Sequence, residues 1–118
     1  MFVKDLTKIK KEKITAGKNT SVQVLISSKE GPHFAMRKFT IEPGGSMPKH
    51  TNSVEHEQLV LNGNAKIGIG DETFEVKQNN IIFIPAGTPH WYETVGSEPF
   101  EFLCMVPNKE DKIEIVND

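Results

Sequence analysis

The chain is poor in the features that mark several large protein classes. Of its 118 residues one is cysteine, Cys104, so no intrachain disulfide can form and a reducing, cytoplasmic setting is expected. No run approaches the 18 apolar residues of a membrane-spanning helix, and the lysine-rich start (Lys8 to Lys13) has no apolar core of a signal peptide, so no membrane association is expected. Fourteen Lys and Arg against sixteen Asp and Glu leave no basic excess, and no nucleic-acid partner is expected. Outside the lysine-rich start no segment of ten or more residues carries a helical apolar period. Signatures of nucleophilic and phosphate-binding sites are absent too: Pro43-Gly44-Gly45-Ser46 lacks the Gly-Lys-Ser/Thr ending of a phosphate loop, and there is no Gly-x-Ser-x-Gly or Cys-x-x-Cys.

What remains is an ordinary globular composition, 36% hydrophobic and 25% charged, enough for one core. From about residue 20 to residue 107 the apolar residues fall into short runs: Val22 to Ile26, Phe34 to Ile41, Glu55 to Leu61, Ala65 to Ile69, Thr73 to Val76, Ile81 to Ile84, His90 to Thr94 and Phe100 to Val106. Turn residues separate them. Glu42-Pro43-Gly44-Gly45 reads as a turn, and Asn62-Gly63 as a hairpin turn pair. Strands at this spacing make an antiparallel sandwich or closed barrel, an all-β single domain spanning 1–118. The residues after Pro107 read as a short tail or edge strand.

Side chains alternate along a strand, so residues two apart share a face. His50 then shares a face with Asn52, His56 with Gln58 and Val60, and His90 with Tyr92. If those faces line one interior, three imidazoles converge. Neutral imidazoles suit Zn, Mn, Fe, Ni or Cu, and three of them leave open positions on the ion. Glu55 and Glu57 flank His56 on the opposite face and read as solvent-facing. Met47, Gln58, Tyr92, Phe102, Cys104 and Val106 are the candidate pocket wall. Arg37 reads as a surface residue rather than a carboxylate anchor, and His33 as exposed.

Two spacings carry a family resemblance. Gly44, His50, Asn52, His56 and Gly63 stand at the spacing G-x5-H-x-H-x3-E-x6-G, and Asn79, Pro85, Gly87, His90 and Thr94 at G-x5-P-x-G-x2-H-x3-N. In this the chain resembles the cupin family. The resemblance implies a jelly-roll-like barrel (a double-stranded β-helix) with one divalent transition metal inside, and a homodimer covering outward residues such as Leu59 and Leu61. It carries the ligand positions onto His50, Asn52, His56 and His90. Histidine at 56 replaces the usual glutamate, as in small all-histidine, manganese-type cupins. Asparagine at 52 replaces a histidine: its carbonyl binds the ion weakly, a water takes its place, or the site is weakened. Asn79 replaces a glycine at a turn needing positive φ, which asparagine tolerates, and the Thr94 hydroxyl can make some of the hydrogen bonds of the usual asparagine. The implied function is a metalloenzyme acting on a small organic molecule, with dioxygenase-like chemistry first. The alternative is a small-molecule-binding cupin with a weakened or absent metal site and no catalysis.

Overall fold

A computed structural model of the chain describes residues 1–117. After a single 3₁₀ turn, Leu6–Lys8, ten strands follow: β1 Glu12–Lys13, β2 Lys18–Ile26, β3 Phe34–Asn52, β4 His56–Asn62, β5 Asn64–Ile69, β6 Glu72–Lys77, β7 Ile81–Ile84, β8 His90–Val95, β9 Phe100–Pro107 and β10 Ile113–Ile115. Every pairing is antiparallel. No helix among the described residues is long and apolar enough to cross a membrane.

The strands curl into a barrel of two facing layers joined through β3. The first half of β3 pairs with β2 and β9, and its second half pairs with β8 and β10. One layer therefore reads β1-β2-β3-β9-β4-β7 and the other β10-β3-β8-β5-β6. The expected turn at Glu42 to Gly45 does not separate two strands, because β3 runs through it. The register shows why: Thr20 faces Ile41 but Lys18 faces Ser46, so four residues, 42–45, stand against the single Asn19 and bulge out of the ladder. Gly44 takes φ 78° there. Gly45 lies so close to the Lys18 and Glu42 carbonyls that a Cβ would sit 2.7–2.8 Å from them. The turn residues bend a strand from one layer to the other instead of reversing it.

Asn62-Gly63 behaves in the same way. No hairpin forms, because β4 pairs with β7 and β9 while β5 pairs with β6 and β8. Gly63, at φ 81°, carries the chain across the barrel corner, and Asn62 Nδ2 donates to the Pro99 carbonyl at 3.1 Å. Asn79 does adopt positive φ, 74°, and the Thr94 hydroxyl donates to the Ile41 carbonyl at 2.9 Å.

Alternation fills the space between the layers. Val22, Phe39, Phe102 and Val60 form one cross-strand row on the first layer, and Val24, Arg37, Cys104, Gln58 and Ile82 form the next. Met47, Tyr92 and Ile67 make a row on the second layer. The layers meet where Tyr92 stacks on Phe102, ring centroids 5.1 Å apart, and Phe102 stacks on Phe39 at 5.2 Å. Such offset pairs add to the burial of rings that are almost wholly excluded from water. At the N-terminus, buried Gln23 points the other way and donates to the Leu6 and Ile9 carbonyls, tying residues 6–9 over the outside of β2.

The two corner glycines separate backbone strain from steric conflict. A Cβ at Gly44 meets nothing within 4 Å, whereas at Gly63 it would lie 2.3 Å from the Pro99 carbonyl oxygen. Urea unfolding of G44A is expected to show a loss of about 1 kcal/mol from φ alone. G63A, which must also move backbone, is expected to lose at least about 3 kcal/mol. Equal losses would contradict the packing described for the corner.

Candidate functional site

The barrel interior opens into a cavity of about 310 Å³ between the two layers. All four residues at the motif positions, His50, Asn52, His56 and His90, line it and are buried. His50 and His90 are cross-strand partners on the second layer, β3 and β8, with ring centroids 4.2 Å apart. His56 comes from β4 on the first layer, and its ring lies 5.6 Å from that of His90.

Local backbone sets two of the tautomers. His50 Nδ1 lies 2.7 Å from the Pro48 carbonyl and His90 Nδ1 lies 2.9 Å from the Thr88 carbonyl, each two residues back along the chain. A carbonyl can only accept, so each Nδ1 carries the proton and each Nε2 keeps its lone pair. His56 Nδ1 instead meets the Cys104 sulfur at 3.2 Å. The Nε2 atoms of His56 and His90 are buried with no hydrogen-bond partner. Burial, with smaller contributions from Arg37 and the other two imidazoles, holds the His56 pKa down to about 3. Burial also lowers His90 to about 4, partly opposed by the Thr88 carbonyl and by Asp111. Both rings are therefore neutral at physiological pH, the form that donates a lone pair.

Asn52 Nδ2 donates to Asp111 Oδ2 at 2.9 Å, and Asp111 Oδ1 accepts from the Ser53 amide at 3.1 Å. This orients the Asn52 amide and leaves its carbonyl oxygen buried without a partner. Asp111 lies just before β10, which lays Ile113 opposite Asn52 and Ile115 opposite His50 along the cavity mouth. The expected tail is thus an edge strand that buttresses the site, and nothing local to Asp111 in the sequence marks it.

The donors fit a divalent ion in kind: two orphaned imidazole nitrogens, a third imidazole with its tautomer fixed, and a free amide oxygen. The fit is one of donor chemistry and not of a finished coordination geometry, since among the described residues no group of three or more His, Cys, Asp and Glu side chains is arranged to hold an ion.

Of the expected pocket wall, Met47, Gln58, Tyr92 and Phe102 line the cavity. Cys104 stands behind that wall, fully buried against His56, and burial raises its pKa so that it stays a thiol. Val106 is not part of the wall. It lies one residue pair further along β9, beside Ala35, and borders a separate depression on the flank. Arg37 is the reverse case: expected at the surface, it lines the cavity. Its place follows from alternation, because Ala35, Arg37, Phe39 and Ile41 all face inward from β3. Gln58 Nε2 donates to the Tyr92 hydroxyl at 2.7 Å, while Gln58 Oε1 has no partner. Burial drives the Tyr92 pKa far up, so the phenol stays protonated. Glu55, Glu57 and His33 are exposed as expected.

The lowered imidazole pKa values set the sign of an acid response. Between the ordinary histidine value of 6.5 and the folded values near 4 and 3, the unfolded chain binds protons that the folded chain refuses. Stability of chelator-treated protein is therefore expected to be full above pH 6.5 and to fall as pH drops from there toward 4. H56Q is expected to make that fall shallower, as measured by denaturation midpoints across the range. An equally steep fall in H56Q would contradict a buried neutral His56.

Comparison with known proteins agrees with this architecture. A sequence profile described as "Cupin domain" matches residues 37–106. A solved polyketide cyclase from Streptomyces resistomycificus superposes with a TM-score of 0.91 at 31% identity, covering 99% of this chain and 86% of that one. The 1-methylthio-D-xylulose 5-phosphate methylsulfurylase of Rhodospirillum rubrum is 27% identical over 111 residues, 94% of this chain and 70% of that protein. Mannose-1-phosphate guanylyltransferase of Escherichia coli is 34% identical over 74 residues, 61% of this chain, but the match spans only 16% of that much longer protein. With the two spaced motifs inside one two-layered barrel and the family profile covering most of it, the chain belongs to the cupin family.

Proposed function

We propose that this protein is a metal-binding cupin that takes a small, largely apolar organic molecule into the barrel and acts on a carbonyl or enol oxygen of it. The observation that carries the reading is the pair of buried, unpartnered Nε2 atoms on His56 and His90, with His50 beside them, at the end of a cavity walled by Phe39, Met47, Tyr92 and Phe102. A divalent ion held by His50, His56 and His90, with Asn52 or water beside it, would act as a Lewis acid on a carbonyl oxygen or as a site for dioxygen. The aromatic and aliphatic wall suits the apolar part of such a molecule. Tyr92, held by Gln58, has a phenol proton to give to a ligand oxygen, and the free Gln58 carbonyl has a lone pair for a ligand hydroxyl.

The similarity to a polyketide cyclase favours carbonyl chemistry over the dioxygenase reaction expected first from the family resemblance. Oxygen uptake during turnover separates the two. The second reading is a binding protein without catalysis, favoured by Asn52, whose amide is a poorer metal donor than the imidazole it replaces. Bound metal without turnover across a panel of polycarbonyl and phenolic compounds supports that reading.

Protein made without a polyhistidine tag is expected to carry about one divalent transition metal per chain by elemental analysis. H56A is expected to lower that content several-fold after dialysis, because one of three imidazole donors is lost. Unchanged stoichiometry would remove His56 from the site.

A homodimer completes the proposal. The outer face of β9, β4 and β7 presents a cross-strand row of Leu103, Leu59 and Ile81, next to a row of Met105, Glu57 and Phe83. Ile81 is 83% exposed and Phe83 56%. Contiguous apolar surface of this kind marks an interface. Sedimentation at micromolar concentration is expected to give twice the chain mass, and F83D is expected to give the monomer. A monomeric wild type would contradict the dimer.

A further inference from the structure

We propose that the cavity selects an anion: its ligand carries a carboxylate that pairs with Arg37, on an apolar body that fits among Phe39, Met47 and Phe102. The inference rests on the reading of this cavity as a ligand site but not on the presence of a metal.

Among the described residues Arg37 is the one Lys, Arg, Asp or Glu side chain in the cavity lining. Its guanidinium is a cationic fork with five N–H donors. Its contacts are few. One terminal nitrogen donates to the Cys104 sulfur at 3.5 Å, the Phe39 ring lies 5.0 Å from its central carbon, and Nε is buried with no partner. Neither of the two ion pairs among the described residues includes it; these are Lys4 with Glu30 and Lys38 with Glu101. The acidic group to weigh against this is Asp111, which borders the same flank depression as Arg37. Its two oxygens are engaged by Asn52 and by the Ser53 amide. Arg37 is thus a cation in an aromatic pocket with no ion-pair partner among the described residues.

A part-buried cation without a partner is costly to the fold, and an anionic ligand recovers that cost on binding. A carboxylate suits the fork geometry of a guanidinium, which takes two parallel N–H···O bonds. The neighbours set the rest of the ligand. Arg37 and His56 touch the same sulfur atom, Cys104 Sγ, so a group held by Arg37 lies on the side of the cavity where His56 stands. Gln58, next along the same cross-strand row, holds out an unpaired carbonyl oxygen. The matching ligand is a largely apolar carboxylic acid with a hydroxyl group within a few bonds of the carboxylate.

The test uses chelator-treated full-length protein, so that no metal can act as the anion receptor. The probe is 1-naphthoate, followed by its own fluorescence, against methyl 1-naphthoate, which keeps the ring and loses the charge. Wild type is expected to bind the acid at least tenfold more tightly than the ester. In R37Q that preference should vanish, and in R37K part of it should return, with circular dichroism and thermal unfolding showing that both variants fold. Equal affinity of wild type for acid and ester, no binding of the acid at millimolar concentration, or an undiminished preference in R37Q would each overturn the proposal. Metal content of the untreated protein is read separately. Charge preference with no metal leaves the anion inference standing and removes the metalloenzyme; metal with no charge preference does the opposite.

Discussion

The structure depends on a single backbone constraint: β3 must serve both layers of the barrel. Its first half sits between β2 and β9, and its second half beside β8 and β10. The bulge at residues 42–45 turns the strand without ending it, and pairing resumes at Ser46, opposite Lys18 on β2 and Glu93 on β8. Two consequences follow. Arg37 and Phe39 are presented from the first layer and His50 and Asn52 from the second, all by one strand. The imidazole of His56, delivered by β4 on the first layer, then faces the pair His50 and His90 across the gap that the Tyr92–Phe102 stack holds open.

The interior divides into a dry half and a polar half. Ile41, Val60, Ala65, Ile67, Phe100 and Phe102 fill one end at close packing. At the other end stand three imidazoles, two amides and a guanidinium, with Nε2 of His56 and His90, Oδ1 of Asn52, Oε1 of Gln58 and Nε of Arg37 all lacking partners. Buried polar atoms are normally satisfied, and each one left open costs stability. Five of them around one cavity make a polar lining whose hydrogen bonds fall to whatever fills that space, water or a ligand. The apolar end supplies the stability that tolerates them.

Much of this was legible in the chain. The strand runs were placed by their apolar alternation, and the two spaced histidine motifs named the ring positions that do meet. The misreadings share a cause. Pro-Gly-Gly and Asn-Gly were read as turns between strands, because locally they are the chemistry of tight turns, whereas the barrel uses their positive φ to change layers. Arg37 was read as surface because an isolated arginine usually is; the alternation of Ala35, Arg37, Phe39 and Ile41 already pointed it inward. Val106 continues the inward alternation of β9, but the barrel has curved away from the cavity by that point.

By itself the sequence determined most of the strands from residue 20 to residue 107, the faces they bury and the side chains that carry donor chemistry, since period-two patterning and residue type are local properties. Only the tertiary structure decided that Asp111 aims the amide of Asn52, that Cys104 backs His56, and that Arg37 stands in the cavity against the Cys104 sulfur. Those relations join residues 48 to 67 positions apart in the chain. No local pattern encodes them, because they exist only once curvature and register have brought the strands together.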